Sequence, residues 1–145
     1  MLGISKALLA GILGLAMVYA TAALADDQRT PAPEGAEVYF ITPGNGHTVK
    51  SPVTIQFGLR GMGVAPAGTE RENTGHHHLL INTKLEDYAQ PIPSDEQHVH
   101  FGGGQTEVTL DLPKGTHTLQ LVLGDQNHVP HATPVESKVI TITVQ

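Results

Sequence analysis

Nine histidines and no cysteine in 145 residues set the chemistry open to this chain. Most fall in three blocks: His76-His77-His78, His98-Val99-His100, and Asp125-Gln126-Asn127-His128-Val129-Pro130-His131, with His47 and His117 apart. Along an extended strand, residues i and i+2 project to one side, so His76 with His78 and His98 with His100 form two chelating pairs. Neutral imidazole binds transition metals readily, and three or four rings from separate segments close, or nearly close, a zinc or copper site. His128 and His131 are candidates to complete the set. Asp125 is a candidate in three ways: as a ligand, as a carboxylate orienting an imidazole, or as a turn residue. With no thiolate, and Met62 the one methionine beyond residue 25, copper(I) is poorly supplied, whereas imidazole-rich sets suit zinc, copper(II) or nickel. Met62 is either a weak axial ligand or a packing plug.

Plainer uses of the same residues compete with these. His77 shares its strand face with Leu79 and Ile81, which predicts packing rather than coordination. His117 heads an apolar face and reads as a structural histidine. The histidines at 128 and 131 could equally cap loop backbone.

Those blocks must be held by strands. Apolar residues alternate or run in short stretches between Gly and Pro, and the 16 Gly and 10 Pro rule out a helical bundle. The pattern predicts an all-β, immunoglobulin-like antiparallel sandwich of seven strands: Glu37–Thr42, Val53–Leu59, His76–Asn82, His98–Phe101, Thr106–Leu112, Thr116–Leu123 and Lys138–Val144. Its predicted core is Val53, Ile55, Phe57, Leu79, Ile81, Leu119, Leu121, Ile140 and Ile142. In that topology the second and sixth strands lead into loops at one end of the molecule, which would gather seven histidines at one rim and leave His47 and His117 at the other. Two segments, 60–75 and 83–97, exceed ordinary loop length and are expected to be functional or mobile.

The N-terminus has the form of an export signal. Lys6 precedes an apolar run from Ala7 to Ala20, then Ala23-Leu24-Ala25 stands before Asp26-Asp27, which predicts a secretory signal peptide over 1–25. The alternative is an uncleaved anchor, since the apolar stretch nearly spans a bilayer. Residues 26–35 (DDQRTPAPEG) read as a flexible leader and 36–145 as one domain, located in the periplasm or secreted and not membrane-integrated after cleavage. A net charge of −6 with 15% charged residues offers no basic field for phosphates and argues against nucleic acid as a partner.

The stretches GMGVAPAG (61–68), TGHHHLLIN (74–82), HVHFGGGQTE (98–107) and GTHTLQLVLGDQNHVPH (115–131) resemble a bacterial family of small exported proteins known as domain of unknown function 4399. The resemblance implies an exported bacterial domain whose histidine blocks travel together, and no activity. The opening VYFITPGNGHTVKSPVTIQF is similar to the first hairpin of bacterial immunoglobulin-like domains.

The expected function is therefore a periplasmic metal-binding protein that takes up, buffers or delivers copper or zinc, with a metal-delivery protein as its partner. A rival is a cupin-like mononuclear metal enzyme using His98, His100, Glu107 and His117. Its spacing departs from the cupin pattern, since six residues separate His100 from Glu107. A third reading is a metal-free binding module with pH-sensing histidines. A serine hydrolase is disfavoured by the lack of a G-x-S-x-G elbow.

Overall fold

The computed structural model describes residues 28–145, so the expected signal segment lies outside the described residues. Nine strands form two sheets: β1 (Glu37–Thr42), β2 (Thr48–Val49), β3 (Val53–Arg60), β4 (Gly63–Val64), β5 (Thr74–Ile81), β6 (His98–His100), β7 (Glu107–Leu110), β8 (Gly115–Gly124) and β9 (Ile140–Val144). The smaller sheet has the order β1-β3-β7 and the larger β2-β9-β8-β5-β4, with β6 also paired to β5. Among the described residues there is no helix, and the all-β sandwich stands as expected. The seven anticipated strands are present with ends shifted by up to two residues. The additions, β2 and β4, are two-residue strands running parallel to β9 and β5.

Period-two alternation builds the core. Val53, Ile55 and Phe57 alternate along β3 as Leu119, Leu121 and Leu123 do along β8, and together with Val38, Leu79, Ile81, Ile140 and Ile142 they fill the space between the sheets. All nine core residues expected from the pattern are buried.

The larger sheet departs from a one-sided pattern at its centre, because every residue of β5 from Gly75 to Ile81 is buried. One face of β5 meets the smaller sheet, where the His77 ring lies 4.8 Å from that of Phe57. The other face is covered by the 83–97 segment, whose Leu85 and Ile92 pack with Leu80, Val122 and half-buried Tyr88 into a second apolar cluster. That segment is thus a cover rather than an open loop.

The described part of the expected leader is likewise corrected. Residues 29–32 lie against the domain: the Ala132 amide donates to the Thr30 carbonyl (2.9 Å), Arg29 donates to three backbone carbonyls, and Ala32 packs on the core. A composition rich in Pro and charge suggested a linker, but these contacts are long-range and have no local signature.

Candidate metal centre

Four imidazoles converge on the outer face of the larger sheet. His76 and His78 alternate with His77 along β5, and register sets His78 opposite His100 of β6. His128 comes down from the loop after β8. Ring centroids are 4.7 Å apart for His76–His78, 5.1 Å for His76–His100, 5.0 Å for His76–His128, 5.1 Å for His78–His100, 6.0 Å for His78–His128 and 4.7 Å for His100–His128. One nitrogen from each of His76, His100 and His128 lies within 4.8 Å of the others. Bonds of about 2.0–2.1 Å to a tetrahedral ion would place such nitrogens roughly 3.3 Å apart, so the rings would have to draw closer around an ion.

Two glycines make room for the rings. In the β5–β8 pairing His76 stands opposite Gly124, and a Cβ there would lie 2.7 Å from His78 Cε1 and 3.3 Å from His128 Cα. On the other side the Phe101 amide bonds the His77 carbonyl (3.1 Å), carrying the β5–β6 register on so that Gly102 flanks His76. A Cβ on Gly102 would lie 2.4 Å from His100 Cε1. With side chains missing on both flanks of His76, the sheet has a hollow that imidazoles fill, a use of strand glycine for close approach.

The loop carrying His128 is built by Asp125. Its Oδ1 accepts from the amides of Asn127 (2.8 Å) and Val129 (3.0 Å), and its Oδ2 from the Thr30 hydroxyl (2.7 Å). Backbone bonds from Asp125 to Val129 and from His128 to Asp125, both 2.9 Å, close the turn. His128 adopts φ +68°, a left-handed conformation uncommon outside Gly and Asn and often found where geometry serves a site.

The buried rings lack partners. Both nitrogens of His76 and His78, and Nε2 of His100, are buried and make no hydrogen bond. Burial, then the neighbouring His128 and His100, lowers His76 to about 4 against the pull of Asp125. Burial, then His76, His100 and His128, lowers His78 to about 3. His100 is lowered by burial and by His128. At neutral pH these imidazoles therefore offer lone pairs rather than positive charge, as ligation requires. The donor set is all nitrogen, with no thiolate, which suits zinc, copper(II) or nickel.

The structure sorts the remaining candidates. His98 shares a strand face with His100 as parity demands, yet it stands opposite Leu80 and its Nδ1 is held by Asp95 Oδ1 at 2.8 Å. It is one strand step too far along to join the cluster. His131 is fully buried but stands apart from the four rings, among the backbone of Thr74 and Leu123 and the Asp125 carboxylate. Asp125 takes the turn role. Met62 packs on the inter-sheet core, on the side away from the cluster, and His77 packs there too.

His117 is structural: its Nε2 donates to the Pro113 carbonyl (2.8 Å), leaving Nδ1 to accept from Asn82 Nδ2 (2.9 Å). His47 is exposed in the first turn, where its Nδ1 accepts from the Gly44 amide. The cupin-like constellation is not assembled, since Glu107 lies on the smaller sheet bonded to Gln56 and His98 and His117 are engaged elsewhere. The seven-histidine rim is corrected to four rings on a sheet face, because β5 is central and loop 125–131 folds back over it. Gly102, Gly124 and Thr30 escaped the sequence reading. Only the glycines left a signal, as breaks in strand patterns beside histidines.

Fold and site together define a β-sandwich domain presenting a buried cluster of imidazoles on its larger sheet. Residues 55–145 match the family described as domain of unknown function (DUF4399), and the chain belongs to that family. No curated protein matches it. Among solved structures, the endo-beta-1,4-mannanase from Thermotoga petrophila is similar at 18% identity and a TM-score of 0.46, over 76% of this chain and 20% of that one. The chain thus spans about a fifth of the mannanase's length, and a likeness of that degree bears on neither fold nor activity. No helix among the described residues is long and apolar enough to cross a membrane.

Proposed function

We propose that this is an exported metal-binding protein, acting in the periplasm or outside the cell, that takes up, buffers or delivers zinc or copper(II) through His76, His78, His100 and His128. The observation that carries the reading is the convergence of His76, His78, His100 and His128 from three segments into one hollow, where both nitrogens of His76 and His78 and Nε2 of His100 are buried without a hydrogen-bond partner. A buried polar atom left unsatisfied costs about 1–3 kcal/mol, and several side by side are a standing penalty that a bound cation would remove. Half-buried His100 and His128 give an ion a route in, and give a delivery partner two ligands to exchange with. Nitrogens of His76, His100 and His128 lie within 4.8 Å of one another, and with His78 as a fourth ligand the shell would be closed, which would favour carriage over catalysis, since catalytic zinc sites keep a position open. Acid sensitivity follows from burial of these rings, lowered to about 4 and about 3, in either reading; what favours metal over a metal-free pH sensor is the approach of the His76, His100 and His128 nitrogens to within 4.8 Å of one another.

Metal analysis and titration of the untagged protein test this. About one equivalent of zinc or copper(II) is expected. His76→Ala or His78→Ala should weaken binding at least tenfold, about 1.4 kcal/mol, whereas His47→Ala and His117→Ala should leave affinity unchanged. Saturation at 100 times the dissociation constant should stabilise the fold by about 2.7 kcal/mol. Equal losses in all four variants would mean non-specific binding by surface histidines. Iron or manganese would favour an enzyme, and no thermal shift with any metal would favour the metal-free module.

A further inference from the structure

Three of the four imidazoles stand on strands, and His128 alone stands on a loop. Of the two half-buried rings that border the route in, His100 and His128, His128 is therefore the one whose backbone can move without opening the sheet. What restrains that loop comes from the start of the domain. The Thr30 hydroxyl donates to Asp125 Oδ2 (2.7 Å), the carboxylate whose other oxygen holds the amides of Asn127 and Val129 on either side of His128. The Thr30 carbonyl accepts from the Ala132 amide (2.9 Å). Arg29 spans the two covers of the site: Nη1 donates to the carbonyls of Tyr88 (3.3 Å) and His131 (3.5 Å), and Nη2 to that of Ala132 (3.2 Å). The covers are joined directly as well, by the Ile92 amide on the His128 carbonyl (2.8 Å). Arg29 and Thr30 thus complete a ring of hydrogen bonds around the His128 loop, at sequence separations of 59 to 103 residues.

We infer that residues 29–30 are a strap that holds His128 over the hollow and sets the rate at which a bound divalent ion leaves. This rests on the metal-binding reading above. Arg29 and Thr30 act on the site through the Asp125 carboxylate and the backbone of the two covers, so they are positioning residues. Under the proposed signal cleavage the strap would begin three residues after the new N-terminus, where a partner could peel it from one end.

The test uses the exported chain loaded with zinc, with release followed against an excess of chelator. Arg29→Gln combined with Thr30→Val should keep the zinc stoichiometry of the wild type and raise the dissociation rate at least tenfold. Thr30→Ser, which keeps the hydroxyl, should retain the wild-type rate. Thr54→Val, which removes a hydroxyl pair on the smaller sheet, should also leave it unchanged. Amide hydrogen exchange of the zinc-free proteins supplies a second readout, and the double variant should exchange faster at Asn127 and Val129. Zinc bound with an unchanged release rate, or unchanged exchange at those amides, overturns the strap alone. A wild-type chain that binds no zinc overturns the metal reading and the strap's role with it.

Discussion

Acidification should unfold this domain without any mutation, and the size of the effect follows from three consecutive residues. His76, His77 and His78 are fully buried. Burial is the leading cause that lowers them to about 4, about 4 and about 3. In the unfolded chain each returns to its ordinary value near 6.5. Below that pH the unfolded state takes up protons that the folded state refuses, so stability is complete above about 6.5 and is lost as pH falls toward the folded values. At pH 5 each imidazole is about 1.5 pH units below its unfolded pKa and still neutral in the fold, a loss of about 2 kcal/mol per ring at 1.36 kcal/mol per unit. Three rings together cost roughly 6 kcal/mol, comparable with the whole stability of an ordinary domain. Urea unfolding followed by far-ultraviolet circular dichroism, which needs no Trp, should show the midpoint falling by roughly 2 M or more between pH 7 and pH 5. His77→Phe, which keeps a ring against Phe57 and leaves the four-ring cluster intact, should remove about a third of that loss. A stability at pH 5 within 1 kcal/mol of that at pH 7 would refute the reasoning. Zinc should raise the midpoint most at neutral pH and progressively less on acidification, since protons and metal compete for the same nitrogens.

Gly124→Ala should weaken zinc binding at least tenfold with a smaller loss of fold stability, because the added Cβ would lie 2.7 Å from His78 Cε1 and must displace a ligand; calorimetric titration beside thermal unfolding separates the two effects, and unchanged affinity would remove His78 from the site. Leu121→Ala should cost about 2–5 kcal/mol in denaturant unfolding, because Leu121 is fully buried between the sheets; a loss below 1 kcal/mol would contradict that placement.

The strands and most of the core were legible in the sequence because period-two alternation is a local property. Val53, Ile55 and Phe57, or Leu119, Leu121 and Leu123, carry their inward face wherever the strand sits. The same parity separated His76 and His78 from His77, which faces Phe57 instead. Other features depended on pairing between distant segments. His98 and His100 have identical local signatures, and only the β5–β6 register, which sets His100 beside His78 and His98 beside Leu80, tells the cluster member from its neighbour. His128 and His131 are three residues apart in one loop, and the fold of that loop around Asp125 brings one to the hollow and leaves the other behind Thr74 and Leu123.

The strap shows the limit most plainly. Arg29 and Thr30 sit in a stretch whose composition suggests a linker, and their partners lie up to 103 residues away. Side-chain type and spacing along the chain thus determined that imidazoles would be offered in chelating pairs from a β-sandwich, since a strand's geometry is the same everywhere. Which four rings meet, how deeply they are buried and what holds them closed was decided by strand register and by covers folding back over a central strand, which exist only once the chain has closed on itself.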